Sequence, residues 1–502
     1  MTSIASRNSV LAIVPEVTQN LLRLPQSASD YVPLQSDFAI EAAFDEIENE
    51  EITASIGRAA PIQGGENPTS SLSFYLKGSG VEGTKPQWSD IAKSFFGSET
   101  TEGTQRSTTT SSTTSIIKVT GASSLFVQGY GLLIKDPVNG YRVRVVHSVD
   151  TNDVTPSFDL PAAPGSGVGL GKPVFWSPAN SGHQSLSVWQ YAGNGGAVQA
   201  VAGAMVSDFS FSVTANEAIN ASCSLEGLSY FFDPIYIAST DAYFDWTDDD
   251  GTFAAAVEVG WYKDPHELAE ALTAAIAATA TTETIVCEYN DSTGKFSIST
   301  STSTVLTLEW NTGANTANTI AEALGFSAAA DDSGATSYIA DDVQDFSAPH
   351  TPSYDATQPL VAKNQEVMIG EQDEYACFNA SSVEVSCTNT RRVIESICAE
   401  SGRSGALINE REVEISVTAL LNQYDAKQMA RFRKGDTIRF QFTGGNKSGG
   451  NWVAGTVCYA YGPQCKIAAI SITDDDGLIS LNMTLRPFVP ATGGGEFYVG
   501  QL

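Results

Sequence analysis

Four histidines, two Asp-Asp-Asp-Gly runs and a glycine-rich stretch ending in lysine are the parts of this sequence whose residue types could carry chemistry. Gly165, Gly167, Gly169, Gly171 and Lys172 have the composition of a loop that cradles phosphates between backbone N–H groups and a lysine. The GxxxxGK[ST] spacing is missing: Ser166 stands at the first glycine position and Pro173 where the magnesium-binding hydroxyl belongs, so the stretch reads as a flexible turn. Asp248–Gly251 and Asp474–Gly477 have the acidity of calcium loops, but in EF-hand register the first ligand is Trp246 or Ile472 and the twelfth Val257 or Met483. Both runs read as Asp-Gly hairpin turns. His147, His183, His266 and His350 fall in strand, loop and helix-start contexts, none beside a serine or cysteine with a third orienting group. The expectation is a protein with no catalytic residue, no metal site and no cofactor.

Composition narrows the class. Hydrophobic residues make up 42% and charged ones 17% of 502 residues, with Ser, Thr, Ala and Gly filling the difference, which suits strands and turns over long charged helices. The length predicts about three domains. The formal charge is −31; no Lys or Arg lies between Lys172 and Lys263, while basic residues gather between Arg391 and Lys447, where they could meet an acidic neighbouring subunit. A surface that grips DNA is excluded, because duplex affinity comes mainly from Lys and Arg replacing counterions. Acidic walls can still let a duplex slide past. Cys223, Cys287, Cys377, Cys387, Cys398, Cys458 and Cys465 are odd in number and lack tight pairs, so they read as mostly buried thiols. The tryptophans read as core or interface anchors. The apolar run Val10–Val14 is too short for a signal peptide, and no stretch of about 18 apolar residues occurs, which predicts a protein made and kept in a cytoplasm.

The elements that would position any site are mostly strands. Phe38, Ile40, Ala42 and Phe44 alternate with polar or small residues, and two-residue periods recur over Ile52–Ile56, Leu72–Leu76, Phe209–Val213 and Ile219–Leu225. Asn139-Gly140 predicts a tight hairpin, because both residues tolerate positive φ. A short helix is expected over Trp88–Phe96. Glu99–Ser115 is rich in Thr and Ser with little apolar anchorage and reads as a mobile loop. A separate unit follows, with strands at Ile235–Phe244 and Phe253–Val259, a helix capped by Asp264, Pro265 and Glu267, a hairpin at Asp291–Gly294 and a helix ending at Gly325. Its basic residues are Lys263 and Lys295. Strands then return: Val383, Val385 and Cys387 alternate, as do Val413, Ile415 and Val417, a helix spans Asp425–Arg433, and Ile467–Ile472 and Ile479–Leu485 form a hairpin. Ser55–Leu76 resembles Ser401–Leu421, and Phe209–Gly227 resembles Ala468–Pro487, which reads as an internal duplication interrupted by an insertion. The fold class is therefore mainly β: two tandem sandwich- or barrel-forming domains at 1–230 and 348–502, each with a short helix, around an inserted α+β domain at 231–347.

In this order of elements the chain resembles the tail tube (major tail) proteins of long-tailed, siphovirus-like bacteriophages. The resemblance covers roughly 1–230 and 360–490; its carriers are the Ser55–Arg58 turn, the Ser73–Leu76 strand, the helix ending at Gly97 and the Ser224–Gly227 close. It implies homotrimeric rings of duplicated subunits stacked into a tube within a virion tail, and genome delivery through the lumen. It also implies partners: the tape measure protein, tail terminator, distal tail and baseplate proteins, and double-stranded DNA passing without tight binding. The inserted unit, Gly260–Phe326 above all, resembles modules of tail and baseplate proteins and would decorate the outside.

Physical chemistry favours the same picture. Sheets with one apolar and one polar face remove their edges by closing into a barrel. Glu41, Glu384, Glu412 and Glu414 are the candidates to line such a lumen, where carboxylates keep phosphates hydrated and unbound. Thr108, Thr109, Thr110 and Ser111 are candidates for a loop that orders between rings. The alternative is a secreted or surface β-sandwich adhesin or carbohydrate-binding protein, which would favour a secretion signal and paired cysteines.

Overall fold

The computed structural model describes residues 8–35, 38–51, 59–193, 197–421, 426–475, 477–491 and 493–502. The expected Ile52–Ile56 alternation, the Ser55–Arg58 turn, Asp425 and Asp476 lie outside the described residues. The fold is mainly β, with short helices. The chain divides into two compact units: Val188–Ala202 and Ser229–Thr351 with residues up to Ala12, and Ile13–Ser187, Gly203–Leu228 and Pro352–Leu502. These bounds differ from 1–230, 231–347 and 348–502 because strands of the two outer segments pair with each other and share the larger unit.

In the larger unit the strands follow one order twice. Ala39–Glu41 pairs with Thr69–Tyr75, that strand with Asn220–Glu226, and that one with the second half of Ala197–Thr214. Ala380–Glu395, Arg403–Leu420, Leu478–Pro487 and Cys458–Asp475 repeat the sequence of pairings. The two sets join where the last strand of the first meets the first strand of the second: Phe209 faces Cys387, Phe211 faces Val385 and Val213 faces Val383. Alternation puts these side chains on one face, and all six are buried. Across the seam one apolar row runs Phe74, Ala221, Phe211, Val385, Ile415 and Leu485.

A six-stranded sheet completes this unit, its core built on Leu132, Ile134, Val143, Val145, Val154 and Leu170. Gly131–Asp136 and Gly140–Asp150 form the hairpin expected there, but its loop is three residues, 137–139, and of the expected pair it is Gly140 that takes positive φ, at 79°. The Asp136 carboxylate accepts the backbone N–H of Val138 and Asn139 at 2.9 and 3.2 Å, so an Asx turn supplies the reversal. The Glu99–Ser115 stretch is also corrected: it holds strand residues to Thr101 and at Arg106–Ser107, and Thr108 is buried. The Thr108 hydroxyl donates to the Gly165 carbonyl at 2.6 Å and accepts from the Val168 N–H at 2.9 Å. That latch occupies the glycine-rich stretch from inside, and the Lys172 N–H donates to Glu82 at 2.9 Å.

In the smaller unit Phe244, Trp246, Trp310, Leu268, Leu272, Ile276, Phe296 and Ile298 are buried together. The strands around the first acidic turn are Tyr243–Asp248 and Gly251–Ala256, whereas Ile235–Ile237 pairs with Gly260–Tyr262, a correction to the expected pairing. Asp249 accepts from Thr304 and Asp250 from Thr282, so side chains and backbone of this unit occupy both carboxylates. Helix Pro265–Ala277 begins as read: Asp264 accepts the Glu267 N–H at 2.9 Å, while the Glu267 carboxylate reaches back to the Lys263 N–H. Asp264→Ala will lower stability by about 1 kcal/mol in thermal unfolding, and Asp264→Ser will restore most of it; equal stability of all three chains would remove the cap from the account. Among the cysteines, Cys377 and Cys398 are exposed and the other five buried.

Candidate assembly surfaces

The registers place all four acidic candidates on the polar face of the double sheet. Ser73, Ser222, Ser210, Ser386 and Glu414 form one row across five strands. Asn220, Ser212, Glu384, Ser416 and Thr484 form the next, and Ala39, Ser71, Ser224, Asp208, Thr388 and Glu412 a third. Glu41 faces Thr69, which faces Glu226. Glu41, Glu384 and Glu412 are exposed and Glu414 is half-buried. Hydroxyls dominate the face, and some pair with each other or with acids: Ser210 with Ser222 at 2.7 Å and Thr388 with Asp208 at 2.9 Å.

Sequence reading missed Arg486. Its guanidinium lies 3.8 Å from Glu412 and 3.2 Å from Glu414, so these two carboxylates share a counter-charge while Glu41 and Glu384 stand apart from it. The pairing spans more than seventy residues of chain and leaves no local signal.

The expected basic cluster between Arg391 and Lys447 is not one patch. Arg391 pairs with Glu226, Arg403 with Asp45, Arg411 with Glu496, Arg431 and Lys427 with Glu374, and Lys447 with Glu366. Arg439 donates to the Ser157 carbonyl at 2.8 Å. Arg433 and Lys434 remain exposed at the end of helix Ala426–Lys434. Beside Arg411 opens a cavity of about 560 Å³ lined by His183, Glu412, Arg486, Phe488 and Glu496. Both ring nitrogens of His183 face carbonyls, of Ser94 at 3.0 Å and Ala179 at 3.2 Å, which commits the imidazole to structure. Burial holds its pKa below the ordinary value.

The apolar face ends unevenly. Phe209, Phe211 and Val213 are covered by the strand across the seam, but the equivalent strand of the second set has a registered ladder partner for Ile467–Asp475 on one side, among the described residues. There Ile470 is half-buried and Ile472 is 49% exposed, although their partners Met483 and Leu481 are buried. At the opposite end Phe38 and Ile40 are half-buried, and Ala42 and Phe44 exposed, so the apolar face expected for that strand is not fully covered by the described residues. Of the loop candidates, Thr108 is buried and Thr109 donates its N–H to the Lys118 carbonyl at 2.7 Å; Thr110 and Ser111 are exposed, Ser111 at φ 71°.

No protein-family model and no curated protein matches the chain. Among solved structures, a chain in the virion of a native gene transfer agent particle is 14% identical, covering 24% of this chain and 89% of that one, at a TM-score of 0.18. A chain from the tail of an empty particle of this kind is 14% identical over 24% of this chain and 89% of that one, at 0.19. The SPP1 tail tube is 13% identical over 28% of this chain and 77% of the other, at a TM-score of 0.21.

Proposed function

We propose that this chain is a non-catalytic structural subunit that assembles with copies of itself into the tail tube of a long-tailed phage. Three copies close a ring, rings stack, and DNA passes through the lumen during genome delivery. The seam between the two strand sets carries the reading. It is a subunit contact already made inside one chain: Phe209, Phe211 and Val213 meet Cys387, Val385 and Val383. The same strand order leaves Ile470 and Ile472 at one end and Phe38 and Ile40 at the other, each without, among the described residues, the neighbour that its counterpart has. Pairing these ends between copies repeats the seam, removes both edges and continues the apolar rows. A ring of three chains then carries six strand sets.

The polar face becomes the lumen wall, with Glu41, Glu384, Glu412 and Glu414 among its charges. Hydroxyls keep it wet, and the shortage of Lys and Arg denies phosphates the partners that would hold them. The smaller unit, which contains most of 231–347, decorates the exterior. Thr110 and Ser111 fit a contact between stacked rings; tape measure, terminator and distal tail proteins would fill and close the tube assembled in the host cytoplasm.

Negative-stain microscopy and native mass of the purified full chain test this. Rings or tubes with three chains per repeat are expected. A dispersed monomer at high concentration would overturn the tube reading, and six chains per ring would overturn the trimer.

A further inference from the structure

The two strand sets each carry a helix, and the helices are treated differently by their surroundings. Ser89–Phe96 ends on Gly97 at φ 86°, and Ala426–Lys434 ends on Gly435 at φ 68°. Aligned on these glycines, Ile91, Ser94, Phe95 and Phe96 correspond to Met429, Phe432, Arg433 and Lys434. The first four are buried; of the second four, Met429 is 36% and Phe432 40% exposed, and both cations are exposed. Gln428 and Arg431 face inward instead. Part of what covers the first helix belongs to the second strand set: Asn389 donates to the Phe95 carbonyl at 3.0 Å, and the Arg411 guanidinium lies 5.7 and 6.0 Å from the Phe95 and Phe96 ring centres.

The counterpart of that covering surface also stands open. Asn389 follows Val383, Val385 and Cys387 at the next same-face position, as Phe44 follows Phe38, Ile40 and Ala42. Phe44 belongs to the small sheet Phe44–Ile47 and Ile62–Glu66, in which Phe44 faces Glu66 and Ile47 faces Ile62. The extra residue of the bulge lies on Ile62–Glu66, so side chains alternate along Phe44–Ile47 and place Phe44 and Glu46 on one face and Ile47, with its partner Ile62, on the other. Phe44 is 44%, Ile47 54% and Ile62 52% exposed. Near them in the chain Glu41, Glu46, Glu50 and Glu51 are exposed, Asp45 pairs with Arg403, and no basic residue lies between Glu41 and Glu51 in the sequence.

We propose that helix Ala426–Lys434 of one copy docks, through Met429, Phe432, Arg433 and Lys434, onto the acidic Phe44–Ile47 and Ile62–Glu66 sheet of a second copy. The inference rests on the tube reading and adds to it a second, charge-selected contact beside the strand edges. The chemistry at the two junctions is exchanged. Inside the chain a sheet arginine meets helix phenylalanines; between copies a helix arginine meets a sheet phenylalanine flanked in the chain by carboxylates. Because the two surfaces differ, the contact is head-to-tail, as ring growth requires.

Charge reversal tests it in the full chain by sedimentation velocity and negative-stain microscopy, with circular dichroism to verify folding. Arg433→Glu with Lys434→Glu, or Glu46→Lys with Glu50→Lys, will weaken association by on the order of a hundredfold. All four substitutions in one chain restore opposite charges and will recover assembly. Wild-type assembly with both one-sided variants unaffected overturns the docking and leaves the tube reading standing. Failure of the fourfold chain to recover, when its dichroism is native, also overturns it. A wild-type chain that never associates overturns the tube reading itself.

Discussion

Ile472→Asp will abolish assembly while leaving the monomer folded. Ile472 is 49% exposed in the chain, so the substitution will change its unfolding free energy by no more than about 0.5 kcal/mol. In the proposed ring the same position would take a place like those of Phe211 and Val213 at the seam, where side chains are buried. A carboxylate buried there without a partner costs several kcal/mol, enough to weaken association at least about a hundredfold. Ile472→Val keeps the apolar contact and will assemble. Analytical ultracentrifugation separates the cases: rings from the aspartate variant at wild-type concentration would show that this edge is not a subunit contact.

Acid will destabilise the larger unit through one histidine. His147 donates to or accepts from the Tyr461 hydroxyl at 2.8 Å, and burial, with the positive charge of Arg439, pulls its pKa from the ordinary 6.5 to about 4. The unfolded chain takes up this proton near pH 6.5 and the folded chain near pH 4. Within that window the unfolded state binds more protons, so stability is full above pH 6.5 and falls as pH drops toward 4. The complete loss is on the order of 3 kcal/mol. His147→Gln keeps a hydrogen-bonding group near Tyr461 and removes the titration. Urea midpoints measured from pH 7 to pH 4 will fall less steeply for the variant; parallel curves would acquit His147.

The periodic strands were legible and their partners were not. Val383, Val385 and Cys387 alternate on the page as they do in the sheet, opposite Val417, Ile415 and Val413. Nothing in that local pattern says that Phe211 lies on the other side of Val385, because ladder pairing across more than 150 residues leaves no trace in either segment. Bulges between Val206 and Asp208 and between Ile467 and Ala469 shift the registers by steps that alternation cannot foresee. Glu41, Glu384, Glu412 and Glu414 each alternate with apolar neighbours, and that pattern is enough to place them on the polar face. It could not find Arg486, whose strand sits beside theirs only after folding. Thr108 shows the converse: a polar run need not lack anchorage, because a hydroxyl can fasten a turn by donating and accepting at once.

The seam inside the chain has a kinetic consequence. Phe209–Val213 and Val383–Cys387 are tethered by one polypeptide, so they meet by a first-order step whose rate does not change on dilution. Contacts between copies are second order and must overcome the loss of translational freedom. Half of the junctions in a three-chain ring would then form during folding, before any encounter, and the remaining half alone would set the concentration at which rings nucleate.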